Sequence, residues 1–132
     1  MKEHYTGAAH VAVLTCDIEE SIRFYEKIGG ELLDRGSLPD GPGTKYLALV
    51  SFAGFVLEFL QPAEAKQEQD GVIPHFAVYV DDVDKAAEDL KALGVDTFTA
   101  PQKKVLPSLF GGLENRFFRG PSGEQIELLK ML

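Results

Sequence analysis

A sequence pattern that occurs twice in this 132-residue chain constrains its fold more than any other feature. Residues 10–29 align with residues 75–94 without a gap, and five of the twenty aligned positions are identical. Further along each half, residues 54–60 align with residues 123–129. Such a repeat indicates two copies of one structural unit, neither of which buries its apolar face alone.

The two copies share one order of predicted elements. An apolar, β-rich run opens each half. It is followed by an aspartate suited to cap a helix, an amphipathic stretch, and a glycine suited to end the helix. Three more strand-like runs complete each half. The predicted strands, in chain order, are 8–15, 31–36, 45–52, 54–60, 74–80, 96–100, 114–119 and 124–130.

The predicted fold class is therefore α+β, with two βαβββ modules. We expect a single domain over residues 1–132, built from modules at 8–60 and 73–130. Residues 61–72 are predicted to link the modules, because this segment is polar and is interrupted by proline and glycine.

The charge balance bears on the class of partner. Thirteen basic residues against 21 acidic ones give a net charge of −8. A nucleic-acid binder needs a basic face, so this balance argues against nucleic acid, and equally against an anionic membrane surface. No apolar run reaches the roughly 20 residues of a membrane span. The N-terminus has no apolar signal stretch and the single cysteine, Cys16, fits a reducing compartment, so we expect a cytoplasmic protein.

Histidine and glutamate recur in register in the two halves. His10 and His75 lie on the first strands, while Glu58 and Glu127 interrupt apolar faces of the last strands. A buried ionised carboxylate is costly unless it is paired or binds a metal. Two imidazoles and two carboxylates form an N2O2 donor set that suits a divalent ion such as Ni, Co, Zn, Mn or Fe. A lone histidine or glutamate on a strand is usually structural, so it is the repetition of both that predicts one metal ion per site.

At these residues the sequence resembles the vicinal oxygen chelate superfamily. This group includes glyoxalase I, fosfomycin-resistance enzymes, bleomycin-resistance proteins and extradiol dioxygenases. The resemblance covers nearly the whole chain and implies paired βαβββ modules that curl around a metal ion. The stretches that carry it are residues 10–13, 21–29, 57–59, 75–82 and 117–128.

The resemblance also implies a ligand set and a reaction. Glyoxalase I-like members use a His, Glu, His, Glu set, which maps onto His10, Glu58, His75 and Glu127. Such members are lyases or isomerases that remove a proton next to a carbonyl, and the metal stabilises the enediolate. By this resemblance Glu127 is the first candidate for the catalytic base, and Glu58 is the symmetric alternative.

Two departures from the glyoxalase I pattern concern the thiol cosubstrate. Glutathione-using members resemble one another in a basic residue four places after the first histidine, and often in an asparagine four places after the first glutamate. Leu14 and Pro62 occupy these positions here, which argues against glutathione. Two other functions stay open. One is a metal-dependent thiol or hydroxide transferase of the fosfomycin-resistance type, and the other is a non-catalytic, ligand-sequestering protein of the bleomycin-resistance type.

Several side chains are predicted to contact a small-molecule substrate. Some of them lie at fixed distances along the chain from the two glutamates, and one lies on the fifth predicted strand. The others lie in a loop at 101–112 that could close over an anionic substrate. The alternatives are core packing for the strand residues and a solvated loop. The predicted substrate contacts are Tyr46, Tyr79, Lys103, Lys104, Asn115 and Phe117.

The small size of each module predicts its assembly. One four-stranded sheet cannot enclose an ion, so two modules must face each other, from one chain or from two. Compact glyoxalase I-like proteins resemble the second case, and closed two-fold dimers are the commonest assembly. We therefore predict a homodimer in which His10 and Glu58 of one subunit meet His75 and Glu127 of the other.

Overall fold

The structure is a computed structural model that describes residues 1–4, 6–66, 70–71 and 73–132. Part of the predicted linker, residues 67–69 and 72, lies outside the described residues. The elements are β1 (Val11–Leu14), α1 (Ile18–Lys27), β2 (Glu31–Asp40), β3 (Gly43–Phe52), β4 (Phe55–Gln61), β5 (His75–Tyr79), α2 (Val83–Ala92), β6 (Lys104–Leu106), β7 (Leu113–Arg119) and β8 (Gln125–Met131), with 3₁₀ turns at Lys2–His4 and Leu109–Gly111. No helix among the described residues is long and apolar enough to cross a membrane.

Two four-stranded mixed sheets form the framework, which confirms the predicted α+β class and the vicinal oxygen chelate arrangement. The strand orders are β1-β4-β3-β2 and β5-β8-β7-β6. In each sheet the first strand pairs in parallel with the last, and the other neighbours are antiparallel. Both sheets are curved, and neither closes into a barrel. Below, β1–β4 with α1 are called module 1, and β5–β8 with α2 are called module 2.

Both helices begin and end where the sequence predicts. Asp17 and Asp82 each accept a hydrogen bond from the backbone N–H three residues later, at 3.1 and 2.9 Å. Gly29 and Gly94 follow the helices with φ of +110° and +94°, a conformation that side chains with a Cβ rarely adopt. Each helix lays its apolar stripe on one face of its own sheet, so the opposite face is the one available for a site.

The strand predicted over residues 96–100 is wrong, because the sixth strand is Lys104–Leu106. Within the predicted segment, Phe98 forms only an isolated bridge to β7. The Arg116 guanidinium stacks on the Phe98 ring. It donates hydrogen bonds to the backbone carbonyls of Ala100 and Pro101. Backbone hydrogen bonds from Thr99 N–H to Phe117 O and from Arg119 N–H to Thr97 O flank this bridge, but the pairing does not continue. Pro101 has no N–H to donate, and its carbonyl accepts from Arg116 instead of a strand neighbour.

A buried polar cluster joins the two modules. The Tyr25 hydroxyl on α1 donates to Glu124 Oε2, in the turn before β8, at 2.8 Å. Beside this contact, the hydroxyls of Ser122 and Ser21 donate to Thr15 Oγ1 at 2.7 and 3.1 Å. The tyrosine, both serines and the threonine are all buried. Because several of these polar groups find their partners across the module boundary, the cluster fixes the two sheets side by side.

The first prediction concerns Glu124 at this boundary. Burial raises the pKa of its carboxyl above that of an ordinary glutamate. The folded protein therefore holds this proton more tightly than the unfolded chain, and the free energy of unfolding falls as the pH rises through the raised pKa. Glu124→Gln keeps an acceptor for the Tyr25 hydroxyl but does not titrate. We expect wild type to lose stability relative to this variant as the pH rises above the ordinary range of a glutamate pKa and through the raised pKa of Glu124, measured by urea unfolding.

The control for this experiment is Glu26→Gln, which removes an exposed glutamate from the helix that carries Tyr25. Its pH profile should run parallel to that of wild type. If the profiles of wild type and Glu124→Gln are also parallel, the titration of Glu124 does not contribute to stability as described.

Candidate metal centre

The histidine and the glutamate of each module lie side by side, on the sheet face opposite the helix. In module 1, His10 Nε2 lies 3.4 Å from Glu58 Oε1. In module 2, His75 Nε2 lies 3.3 Å from Glu127 Oε1. The parallel pairing of first and last strands produces both contacts, because each histidine stands two positions before the residue that lies opposite the glutamate.

The spacing of these atoms fits two ligands of one metal ion. First-row divalent ions bind imidazole nitrogen and carboxylate oxygen at about 2.0–2.2 Å, so neighbouring ligand atoms lie about 3–3.5 Å apart. Both His–Glu pairs have this separation. The His10 and His75 side chains are 38% and 40% exposed, which leaves their nitrogens accessible to an ion. The donor chemistry and the geometry therefore both suit a first-row divalent ion.

One chain carries these donors as two separate pairs. Among the residues that the structure describes, no group of three or more His, Cys, Asp or Glu side chains is placed to hold a metal ion. A single pair supplies two protein ligands, whereas zinc sites use three or four. A complete centre would therefore need a module 1 pair and a module 2 pair to face each other, and the described residues of one chain do not bring two pairs together.

Two neighbours on the same sheet face brace the pair of module 2. Asn115 Nδ2 donates to Glu127 Oε2 at 2.8 Å, so that Oε1 is the oxygen beside His75. The Phe117 ring packs edge-on against the His75 imidazole, with ring centroids 5.3 Å apart. The Glu127 side chain is 11% exposed, compared with 21% for Glu58. Asn115 and Phe117, predicted as substrate contacts, thus lie directly against the proposed ligands.

The neighbours of Glu58 are different, because the two hairpins have turns of different length. Leu49 lies opposite Glu58, and Leu47 holds the place that Asn115 holds in module 2. Tyr46, predicted near the cavity, lies on the other face of β3, beside the start of α1. Two residues separate β3 from β4, whereas five separate β7 from β8. Because one turn has an even number of residues and the other an odd number, residues at the same distance along the chain from the glutamate lie on opposite faces of the two sheets.

The two adjacent lysines point to opposite faces of module 2. Lys104 lies opposite Asn115 on β7, so it shares the sheet face of Glu127. Lys103 instead forms an ion pair with Glu114 at 3.0 Å and another with a carboxylate of α2 at 3.1 Å, on the helix-covered face. The structure therefore brings Lys104 to the face of the candidate centre and takes Lys103 away from it.

Two further side chains complete the description of these faces. Tyr79 lies on the face of Glu127 and is 77% exposed, so it is free to contact a ligand. Asp34, which the sequence analysis missed, lines a cleft of about 190 Å³ together with Glu58. A bulge between Leu32 and Asp34 shifts the register of β2 by one residue, so strand alternation alone could not place this carboxylate.

Comparison with known proteins agrees with this architecture. A family model described as Glyoxalase/Bleomycin resistance protein/Dioxygenase superfamily matches residues 7–128. The "Uncharacterized protein YwbC" of Bacillus subtilis (strain 168) is 30% identical over 129 residues, which cover 92% of this chain and 94% of that protein.

Solved structures with a similar fold include two glyoxalase I proteins. A mutant of glyoxalase I from Zea mays is 26% identical, with a TM-score of 0.70, over 91% of this chain and 43% of the maize chain. This chain therefore spans less than half of the maize protein. The trypanothione-dependent glyoxalase I of Leishmania major is 23% identical, with a TM-score of 0.72, over 96% of this chain and 87% of that chain, and this likeness shows the fold alone.

The second prediction separates the two lysines. Lys103→Met leaves the buried Glu114 carboxylate without its ion-pair partner, so we expect a lower midpoint of thermal unfolding. Lys104→Met removes an exposed side chain and should leave the midpoint nearly unchanged. Thermal melts followed by circular dichroism at neutral pH make the comparison. If the midpoint falls for Lys104→Met and stays unchanged for Lys103→Met, the two lysines are assigned to the wrong faces.

Proposed function

The chain belongs to the Glyoxalase/Bleomycin resistance protein/Dioxygenase superfamily, and from this membership we propose that it is a divalent-metal-dependent lyase or isomerase of the glyoxalase I type. One observation carries the proposal. Each module presents a histidine and a glutamate at the separation that two ligands of one ion require, and they do so at equivalent positions. His10, Glu58, His75 and Glu127 would hold the ion.

The reaction follows from the chemistry of these side chains. A bound divalent ion supplies Lewis-acid activation of two neighbouring oxygens of a small substrate. A carboxylate at the site then takes a proton from the carbon next to a carbonyl and returns it to the adjacent carbon. Glu127 is the first candidate for this base, and Glu58 is the alternative. His10 and His75 are ligands only.

The centre is completed between two chains. The Tyr25–Glu124 hydrogen bond and its neighbours hold the modules of one chain side by side, and among its described residues the two pairs do not come together. In a two-fold homodimer, module 1 of each subunit meets module 2 of the other, because an isologous interface repeats every contact. Such a dimer contains two equivalent centres.

The open face of module 2 indicates the kind of substrate. Tyr79, Asn115 and Phe117 surround the His75–Glu127 pair with aromatic and amide groups, and Lys104 adds a cation on the same face. This arrangement suits a small compound with two neighbouring oxygens and an anionic group. Leu14, half-exposed and apolar, offers no charge to a glutathione carboxylate, so we propose a cosubstrate thiol other than glutathione, or none.

The third prediction tests this function through its metal and its base. We expect purified protein to contain about one divalent ion per subunit. Reconstituted protein should isomerise the hemithioacetal formed by methylglyoxal and a thiol, whereas metal-free protein should not. Glu127→Gln keeps an oxygen donor but loses the proton acceptor, so it should retain the ion at lower affinity and lose roughly 10²–10⁴-fold in turnover.

The matched control is Glu88→Gln, which changes an exposed glutamate of α2 and should behave as wild type. Near-normal turnover by Glu127→Gln would transfer the role of base to Glu58 or overturn the proposed mechanism. Stoichiometric metal without turnover, but with stabilisation by a chelating ligand, would favour the transferase or the ligand-sequestering function instead.

The fourth prediction tests whether two chains share each centre. His10→Ala and His75→Ala subunits should each bind metal weakly as pure homodimers, because every centre lacks one imidazole. When the two variants are unfolded and refolded together, a mixed dimer holds one centre with both substitutions and one intact centre. Metal binding and turnover should therefore partly return. A protein that sediments as a monomer at micromolar concentration with metal bound would exclude shared centres.

A further inference from the structure

A buried hydrogen bond distinguishes the two halves of the proposed centre. Asn115 Nδ2 donates to Glu127 Oε2 at 2.8 Å, and the asparagine is itself 9% exposed. This bond fixes the rotation of the carboxylate about its last side-chain torsion. The other oxygen, Oε1, is consequently held 3.3 Å from His75 Nε2.

Module 1 shows what the sheet looks like without this bond. Leu47 occupies the position that matches Asn115, and it has no donor to offer Glu58. The leucine packs in the same place on the same kind of strand, so packing alone does not require an amide there. A buried amide costs free energy unless it is hydrogen-bonded. Among the described residues, the hydrogen bond that offsets this cost for the Asn115 side chain is the one to Glu127.

We propose that Asn115 is a positioning residue that holds Glu127 in its metal-binding orientation and makes the His75–Glu127 pair the preorganised half of the centre. The proposal rests on the metal centre proposed above and goes beyond it, because it assigns different roles to two halves with the same ligands. Phe117, packed edge-on against His75, restrains the imidazole in the same pair. Groups that orient metal ligands in this way contribute strongly to affinity.

The experiment compares two substitutions that remove the amide and change volume in opposite ways. Asn115→Leu fills the position as module 1 does, and Asn115→Ala leaves space. Zinc binding to the full-length, metal-depleted protein is measured by calorimetric titration. We expect both variants to bind zinc about 10–100-fold more weakly than wild type, the usual effect of losing a partner of a metal ligand. Leu47→Ala, the matching truncation in module 1, removes no hydrogen bond and is the control.

A second measurement shows whether Asn115 acts through Glu127. Asn115→Ala is combined with Glu127→Ala, and zinc affinity is compared with that of Glu127→Ala alone. If Asn115 works by positioning the carboxylate, the combined variant loses nothing further, because the group it positions is already absent. A full additional loss in the Glu127→Ala background would instead make Asn115 a structural residue and overturn the proposal.

The outcomes also separate this proposal from the proposed function. Zinc affinity that is unchanged in both Asn115 variants overturns the positioning role and leaves the metal centre intact. Wild-type protein that binds no divalent ion overturns the centre itself. An equal loss of affinity in Leu47→Ala and Asn115→Ala would show that volume on the sheet face, and not the amide, determines the affinity.

Discussion

The hydrogen bond between Tyr25 and Glu124 crosses the boundary of the two modules, and the side-by-side placement of the sheets depends on it and on its neighbours. It lies in a buried setting at the boundary of the modules, where Thr15, Ser21 and Ser122 add further polar contacts. Polar groups in such a place must find partners, so the boundary has one favourable alignment and not a range of them. That alignment sets the sheets beside each other with both ligand-bearing faces open. Because both faces are open, the proposed metal centre would need a second chain to complete it.

Much of the fold could be predicted because local signals and the repeat agree. The capping aspartates, the terminal glycines and the order of strands are properties of short segments, and each occurs twice. The failure at residues 96–100 has a long-range cause. The guanidinium of Arg116, on β7, stacks on Phe98 and donates to the carbonyls of Ala100 and Pro101. A local sequence pattern does not show which distant side chain will bind a backbone carbonyl.

Part of the candidate site could also be predicted from the sequence, and part of it could not. The sequence predicts two side-chain contacts correctly, His10 with Glu58 and His75 with Glu127. Both contacts follow from parallel strands whose registers repeat in the two modules. The surroundings of each pair do not, because they depend on turn length and on a bulge that the repeat does not preserve. Equal offsets along the chain therefore placed Tyr46 on the wrong face, although the same offsets placed the residues of β7 correctly. Metal binding itself remains the proposal that these contacts support.

The difference between the two hairpin turns has a consequence for how such a chain can change. Ala53 and Gly54 form a turn of two residues, with φ of +51° and +85°, while residues 120–124 form the longer one. A single residue added to the short turn would exchange the buried and open side chains along β3, unless a bulge absorbed it as one does in β2. The two halves share a sequence pattern but not a hairpin register, so the turn of one hairpin does not suit the strands of the other.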